Sequence, residues 1–277
     1  MQNIALPNKI TFKDGDKENV GQVIIEPCFP GYGATIGNSL RRVLLSSLEG
    51  AAVVGVKIEG VDHEFMSLSH VKEDILEILM NLKLLRIKVH TDEVVKLELK
   101  AVGKKAVKAS DIKNDSSVEI VNKDLVIANL TDMSGNLNME IFVKKGIGYE
   151  TIEAREGKTN ELGYLEIDSI YSPVLNIGYD IENVRVGKMT NWDKLVLNIE
   201  TDCTISPADA FKKANQILID QFSALSEEKK DEKKEEAEEK EEEEEVEKKE
   251  EEEEVEKKEE EEEEKTTKKR GRPKKSE

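Results

Sequence analysis

The amino-acid sequence changes character after Leu225, and this change limits the part of the chain that can fold around a core. Residues 226–264 contain 26 acidic and 9 basic side chains, a net charge of −17, and the sequence EEEEEVEKK occurs there twice in tandem. Aliphatic residues are almost absent from this stretch, so burial cannot offset the entropy lost on ordering. We therefore predict a disordered tail over residues 226–277. The core must come from residues 1–225, which suffice for one large domain or two small ones.

The rest of the composition is typical of a soluble protein in a reducing compartment. Residues 265–277 carry a net charge of +6, which leaves −7 for residues 1–225, so most of the acidity belongs to the tail. Cys28 and Cys203 lie far apart in the sequence, which argues against a disulfide framework and against a zinc site. The sequence has neither a signal peptide nor an apolar run of about 18 residues. We predict a cytoplasmic protein that does not contact a membrane.

Hydrophobic periodicity predicts an α+β fold for residues 1–225. Runs rich in β-branched residues, separated by turn residues, predict strands through most of this part. Pro27 and Pro30 are expected to end the second strand, because proline cannot donate to a ladder. Residues 144–163 predict an exposed, loop-rich segment. Three further segments have helical periodicity.

The first predicted helix lies between Thr35, a candidate N-cap, and Gly50. With about 100° of rotation per residue, its apolar side chains gather on one face, whereas Arg42 and Leu45 project from nearly the opposite face. The apolar stripe consists of Ile36, Leu40, Val43, Leu44 and Leu48. The helix therefore has one face for a core and a second face that the core does not require.

Two more helices are predicted, over residues 68–85 and from Ser206 onward. The helix over residues 68–85 is apolar on two sides, so we expect it to be packed on both. The last helix has Pro207 at its first position and Asp209 three residues after the cap, a typical N-terminal signature. Its apolar stripe has nearly heptad spacing and needs another helix to receive it. That stripe consists of Phe211, Ala214, Leu218, Phe222 and Leu225.

No sequence motif indicates catalysis by the isolated chain. The sequence GYG at residues 31–33 lies between a strand and a helix, but the dinucleotide fingerprint needs a third glycine where Ile36 stands. These glycines are better explained as the turn from strand to helix. The three histidines lack the spacing of metal ligands, and the sequence DHE at residues 62–64 is more typical of a solvated loop than of an acid–base site. We predict no catalytic residue, no metal and no cofactor.

Several long segments together resemble one family. They follow one another in unbroken order over residues 4–225 and are GYGATIGNSLRRVLLSSLEG, HVKEDILEILMNLKLL, SIYSPVLNIGYDIENVRVG and TNWDKLVLNIETDCTISPADAFKKANQIL. They resemble the amino-terminal assembly domain of the α subunit of bacterial DNA-directed RNA polymerase. The resemblance implies a discontinuous dimerisation domain over residues 1–49 and 176–225, interrupted by an inserted, mostly β domain over residues 50–175.

The resemblance also implies partners. In the family, the first and third helices of two copies pack together, and this homodimer holds the two large catalytic subunits of a nucleotidyltransferase that transcribes DNA into RNA. The subunit itself is non-catalytic. The implied dimer contacts are Leu40, Leu44, Phe211, Leu218 and Phe222. The implied large-subunit contacts are Arg42, Leu45, Lys83, and the stretch around Ile167 and Val174.

The sequence departs from the family's common pattern after Leu225. The common bacterial α subunit continues into a second small helical domain that contacts promoter DNA, whereas residues 226–277 lack the apolar side chains for such a domain. Their basic end, KKRGRPKK, is similar to an AT-hook, in which arginines enter the narrow minor groove of A·T-rich DNA. A generic basic end is the alternative explanation. The residues implied in DNA contact are Arg270, Gly271, Arg272 and Pro273.

Two other functions fit parts of the sequence. In one, the chain is a free-standing binding protein or chaperone for basic partners, and its acidic tail is the active part. Deletion of residues 226–277 would abolish that function but would leave the assembly of a polymerase intact. In the other, Asp62, His63 and Glu64 belong to an unrecognised enzyme, which would show turnover by the isolated chain.

Overall fold

The structure is a computed structural model that describes residues 4–15, 17–113, 116–155 and 163–225. Its helices within these ranges are α1 (Tyr32–Ser46), α2 (Ile75–Lys83) and α3 (Pro207–Leu225), with a 3-10 turn at Ala109–Asp111. Its strands are β1 (Lys9–Asp14), β2 (Val20–Cys28), β3 (Glu49–Ile58), β4 (Ile87–Val89), β5 (Val95–Val102), β6 (Ala106–Lys108), β7 (Val118–Ile120), β8 (Val126–Asn129), β9 (Asn136–Ile147), β10 (Tyr149–Glu150), β11 (Tyr164–Glu166), β12 (Ser169–Ile170), β13 (Val174–Val186) and β14 (Met189–Thr201). This mixture is consistent with the predicted α+β class. None of the helices in the described ranges has the length and apolar character that a membrane span requires.

The two ends of the described chain meet in one antiparallel sheet with the strand order β1-β2-β14-β13. Alternate residues of β2 and β14 point to the same face of this sheet, where α1 and the first half of α3 cover them. We call the resulting cluster the terminal core. Its buried residues are Val23, Ile25, Cys28, Leu40, Leu44, Leu48, Val174, Ile177, Leu195, Leu197, Ile199, Ala210, Phe211 and Ala214.

A second antiparallel sheet, with the strand order β11-β3-β9-β5, lies in the middle of the chain. Together with α2 and the short pairs β4-β7 and β6-β8 it encloses a second cluster, the middle core, whose buried residues all fall between Val53 and Ile167. The chain therefore leaves the terminal core after Leu48 and returns to it at Val174. These two crossings lie beside the boundaries predicted for the inserted domain.

The chain divides into two units, Met1–Leu218 and Ile219–Glu277. The first unit contains both sheets and both cores. The described residues of the second unit are the last seven residues of α3, from Ile219 to Leu225.

The predicted limits of the first helix are wrong at both ends. α1 begins at Tyr32, three residues before Thr35, because an acceptor from a distant strand replaces a local N-cap. The helix ends at Ser46, and Gly50 belongs to β3.

The second helix is shorter than predicted. α2 begins at Ile75, whereas the preceding residues form isolated bridges, Ser67 with Asp74 and Val71 with Leu130. The start of α3 is confirmed: the Asp209 N–H donates to Ser206 Oγ (3.1 Å), and the Ser206 hydroxyl donates to Asp209 Oδ2 (2.8 Å).

Two predictions about strands also need correction. β2 continues through Pro27 to Cys28, because the pairing with β14 shifts register between Ile25 and Cys28, and the missing proline donor falls in this irregularity. Residues 144–163 are predicted to be loop-rich, but β9 extends to Ile147 and β10 follows directly. Residues 152–154 do form a turn, and residues 156–162 lie outside the described residues.

Candidate partner-binding surfaces

The two faces of α1 are as the sequence predicts. Leu40 and Leu44 are fully buried in the terminal core. Arg42 and Leu45 lie on the exposed side of the same helix. A contact of these two side chains with a large subunit stays a prediction, but both are accessible to a partner.

The start of α1 is fixed by Asp193 of β14. Its Oδ2 accepts the N–H groups of Gly31 (2.9 Å) and Gly33 (3.1 Å), two of the donors that a helix N-terminus leaves free. Gly31 has a φ of +86° and forms the turn from strand to helix, whereas Gly33 is already the second residue of α1. Burial, followed by the nearby Asp193 carboxylate, raises the pKa of the Cys28 thiol, which is therefore a packing group in the terminal core.

Lys83, the last residue of α2, forms an ion pair with Asp168. Asp168 belongs to the stretch around Ile167 and Val174, which the family resemblance also implies in large-subunit contact. The Lys83 ammonium group lies 3.3 Å from Asp168 Oδ2, and the ion pair is half-exposed. Asp168 Oδ1 accepts the Ile152 N–H at 3.0 Å. That hydrogen bond, followed by Lys83, holds the pKa of Asp168 below its ordinary value, although burial opposes the shift. The sequence separation of 85 residues explains why no local pattern reveals this pair.

The side chains of Ile167 and Val174 do not face solvent. Ile167, 2% exposed, belongs to the middle core, and Val174 belongs to the terminal core. Their neighbours Ile170 and Leu175 are exposed instead. A large subunit that bound this stretch would touch the exposed side chains of Ile170 and Leu175. The buried side chains of Ile167 and Val174 would only hold these neighbours in place.

A buried hydroxyl lies within the same stretch. The Tyr171 hydroxyl donates to Glu150 Oε2 at 2.8 Å. Burial of the phenol, and then this hydrogen bond to a carboxylate, raise the pKa of Tyr171 to about 12. Tyr171 therefore stays neutral at physiological pH and acts as a structural donor between β10 and the segment after β12.

The predicted dimer residues fall into two groups. Leu40, Leu44 and Phe211 are buried within the terminal core of a single chain, so their side chains are not available to a second copy. Leu218 is partly buried against the same core. Phe222 is 62% exposed, and Ile219 and Leu225 are also exposed. Of the predicted set, only Phe222 presents a largely free apolar surface.

Among the described residues, the other predicted site residues do not come together into a further site. Asp62 and His63 are exposed, and Glu64 is half-buried, in the loop after β3. Over the described ranges, no group of three His, Cys, Asp or Glu side chains could hold a metal ion. Residues 270–273, the AT-hook-like sequence, lie outside the described residues.

Comparison with known proteins finds relatives over most of the chain. Residues 56–172 match the family described as the RNA polymerase Rpb3/RpoA insert domain. A DNA-directed RNA polymerase subunit alpha of Nitratidesulfovibrio vulgaris is 45% identical over 222 residues, which are 79% of this chain and 63% of that protein. Proteins of the same name are 44% identical in Desulforamulus reducens and 40% identical in Oceanobacillus iheyensis. Each of these two matches covers 234 residues, 83% of this chain and 74% of the relative.

The chain thus spans less than two thirds of the length of the first of these relatives. All three relatives carry the name of a polymerase subunit. The comparisons therefore give no support to the alternative function, a free-standing acidic-tailed binding protein or chaperone.

Proposed function

This chain belongs to the family of DNA-directed RNA polymerase α subunits, and from this membership we propose that it is a non-catalytic subunit on which the polymerase is assembled. Two copies join through α1 and α3, and the homodimer then binds the two large catalytic subunits, one on each copy. The observation that carries the proposal is the 44% identity to a polymerase α subunit over 83% of this chain and 74% of the relative. No cofactor is part of the proposed role.

The exposed apolar side chains of α3 support the homodimer. Ile219, Phe222 and Leu225 recur every three residues and so lie along one side of the helix. Large apolar side chains grouped on a surface are typical of interaction sites. When the partner is a second copy, the same patch lies on both sides of the contact.

The exposed face of α1 supports the binding of a large subunit. Arg42 and Leu45 combine a charged and an apolar side chain on a helix whose other face is fixed in the terminal core. Arginines that become desolvated in an interface often dominate its binding energy. Lys83 would extend this contact on the middle part of the chain.

The two cores support the discontinuous domain arrangement. The middle core draws only on residues from Val53 to Ile167, and the terminal core draws on residues before and after this range. The match of residues 56–172 to an insert-domain family supports the same division. The dimerisation domain is accordingly residues 1–49 and 176–225, and the inserted domain is residues 50–175.

The basic end of the tail is proposed to contact DNA. The support comes from sequence alone: a net charge of +6 over residues 265–277 and the Arg270-Gly271-Arg272-Pro273 sequence within it. So few positive charges give modest binding that weakens strongly with salt, because the affinity comes from counterion release.

Reconstitution tests the assembly role. The full chain, tagged and coexpressed with the two large subunits of the polymerase from the same organism, should retain both large subunits on an affinity column. Mass measurement of the eluate should show two copies of this chain together with one copy of each of the two large subunits. A chain that elutes as a monomer without either large subunit would refute the proposal.

A further inference from the structure

Asp168 lies where three segments of the middle part of the chain meet. Its Oδ2 accepts the Lys83 ammonium at the end of α2 (3.3 Å), and its Oδ1 accepts the Ile152 N–H (3.0 Å). β10 pairs with β12, which begins at the next residue, Ser169. A single negative charge therefore joins the end of α2 to the turn that follows β10.

Arg155 holds the residues on both sides of Asp168. Its Nη1 donates to the Val54 carbonyl of β3 (2.8 Å), and its Nη2 donates to the Ile167 carbonyl (3.1 Å) and to Ser169 Oγ (3.0 Å). The Arg155 side chain is only 15% exposed. A planar guanidinium with several short hydrogen bonds fixes both position and orientation. Asp168 is therefore held rigidly, and it fixes the end of the flexible Lys83 side chain in turn.

An exposed apolar pair lies directly beside this ion pair. Tyr149 of β10 and Ile170 of β12 are opposite each other in the two-stranded sheet, and they are 60% and 46% exposed. Ile170 lies two residues after Asp168, and Tyr149 lies three residues before Ile152, whose N–H Asp168 accepts. Asp168 accepts one of the three ammonium hydrogens of Lys83, so two can donate to a partner. An aromatic group with a polar neighbour is a common composition of binding hot spots.

We propose that Asp168 is a positioning residue for large-subunit binding, which holds the Lys83 ammonium beside the exposed Tyr149–Ile170 pair. The partner surface that fits this arrangement offers an apolar pocket next to a carboxylate or carbonyl acceptor. Asp168 acts by ordering Lys83 before binding, which removes part of the entropy cost of immobilising a long side chain. This inference rests on the proposed assembly function.

The test compares Asp168→Asn with a matched control in the full-length dimer. The substituted amide would keep an acceptor for the Ile152 N–H but lose the charge that orders Lys83. We expect the affinity for the large subunit that the wild-type dimer retains to fall roughly two- to tenfold, the cost of ordering about one long side chain on binding. Asp111→Asn is the control, because Asp111 has the same arrangement: one oxygen on Lys105 (3.2 Å), the other on the Lys108 N–H (3.0 Å). The melting temperature of Asp111→Asn should shift about as much as that of Asp168→Asn. Its affinity for the large subunit should nevertheless equal that of the wild type.

A double-mutant cycle distinguishes positioning from a general structural role. Lys83→Met alone should weaken binding at least as much as Asp168→Asn, and adding Asp168→Asn to Lys83→Met should weaken it little further. Unchanged affinity in Lys83→Met would overturn the inference even if Asp168→Asn failed to fold. The inference would also be overturned if Asp111→Asn weakened large-subunit binding as much as Asp168→Asn does. The same holds if Asp168→Asn weakened binding by its full amount in a protein that already carries Lys83→Met. A wild-type dimer that binds no large subunit would instead overturn the assembly function itself.

Discussion

Asp193 performs for α1 the role that a neighbouring Ser, Thr, Asn or Asp performs for most helices. It lies 162 positions after Gly31 in the sequence, yet its carboxylate accepts two N–H groups of the helix N-terminus. Gly33 favours this close approach, since a Cβ there would lie 3.0 Å from both Cβ and Oδ2 of Asp193, closer than an ordinary van der Waals contact. Because Asp193 belongs to β14, the cap also ties the orientation of α1 to the sheet and thereby positions the face that carries Arg42.

Asp193→Ala should lower the free energy of unfolding by about 1–2 kcal/mol, the usual cost of removing a capping acceptor. Asp193→Asn should cost less, because the amide oxygen can still accept. Asp180→Ala, at an exposed position of the adjacent strand β13, is the control and should stay within about 0.5 kcal/mol of the wild type. Urea denaturation measures all three. An Asp193→Ala protein as stable as the control would mean that water replaces the cap without cost.

Arg42→Ala should separate binding from folding. Arg42 is exposed and opposite the buried stripe, so its removal should change the free energy of unfolding by no more than about 0.5 kcal/mol. The capture of a large subunit by the dimer should nevertheless weaken, because interface arginines are frequent hot spots. Arg41→Ala removes the same side chain from the preceding exposed position and should leave capture intact. Unimpaired capture by Arg42→Ala would exclude this side chain from the interface.

Among the helices, α3 changes character along its length. Its first half enters the terminal core through Ala210, Phe211 and Ala214, whereas Phe222 near its end is largely exposed. Leu218 is a poor probe of dimerisation, since it packs on the terminal core and its replacement would also destabilise the single chain. Phe222 is the better probe.

Phe222→Glu should convert the dimer into a folded monomer at low micromolar concentration. A charge in an apolar contact is costly unless it is paired, while an exposed position leaves the fold unaffected. Analytical ultracentrifugation gives the mass, and circular dichroism checks the fold. Phe65→Glu makes the same substitution at a still more exposed phenylalanine of the middle part and should remain dimeric. A Phe222→Glu protein that sediments as a dimer would contradict the proposed role of the end of α3.

The start of α2 is held by a buried carboxylate. Glu73, two residues before α2, accepts the Asn129 N–H (2.7 Å) and the Asn129 side-chain amide (2.6 Å). Burial alone would raise the pKa of Glu73, but the hydrogen bonds from Asn129 outweigh it, and the pKa is lowered. Because the pKa is lower in the folded state, the charged carboxylate stabilises the fold above the unfolded-state pKa of about 4.3. This stabilisation is lost as the pH falls through the folded-state pKa.

Glu73→Gln should therefore destabilise the protein in a pH-dependent way. At pH 7 we expect a loss of about 1 kcal/mol, the value of a typical hydrogen bond. The difference from the wild type should shrink as the pH is lowered below about 4.3. Glu77→Gln, at an exposed position within α2, should follow the wild type throughout. Urea denaturation at several pH values provides the measurement, and a difference that stays constant with pH would contradict the role of the Glu73 charge.

At the scale of the whole molecule, the sequence after Leu225, outside the described residues, consists of two segments of opposite charge. The net charge is −17 over residues 226–264 and +6 over residues 265–277. The acidic segment should repel DNA near the folded part and keep the basic end at a distance from it. We therefore expect the basic end to contact upstream duplex DNA.

Truncation after Leu225 should leave polymerase assembly unchanged but shorten the footprint on A·T-rich upstream DNA. The difference should be clear at low salt and disappear as salt is raised, because the contact depends on counterion release. Replacing both Arg270 and Arg272 with alanine should reproduce the truncation if an AT-hook-like contact is responsible. Identical footprints for all three polymerases at low salt would show that the acidic segment neutralises the basic end, and would refute DNA contact.

Several properties of this protein follow from its sequence alone. The apolar stripe of α1 predicts which residues are buried, and the Ser206-Pro207-Asp209 pattern predicts where α3 begins. Both signals involve residues within a few positions of one another, so helical geometry alone converts them into structure. The family resemblance can likewise be read from the sequence alone. It depends on the order of the segments along the chain and not on contacts between them.

Only the tertiary structure decided which predicted contact residues can meet a partner. It placed Ile167 and Phe211 in two different cores, left Phe222 exposed, and paired Lys83 with Asp168. These outcomes depend on segments separated by 85 residues or more, as in the Lys83–Asp168 ion pair and the cap that Asp193 gives α1. The hydrophobic periodicity of a helix or strand predicts whether a side chain faces a core or solvent. It does not predict which distant segment of the chain packs against that side chain. That is decided when distant strands pair and bring their side chains together.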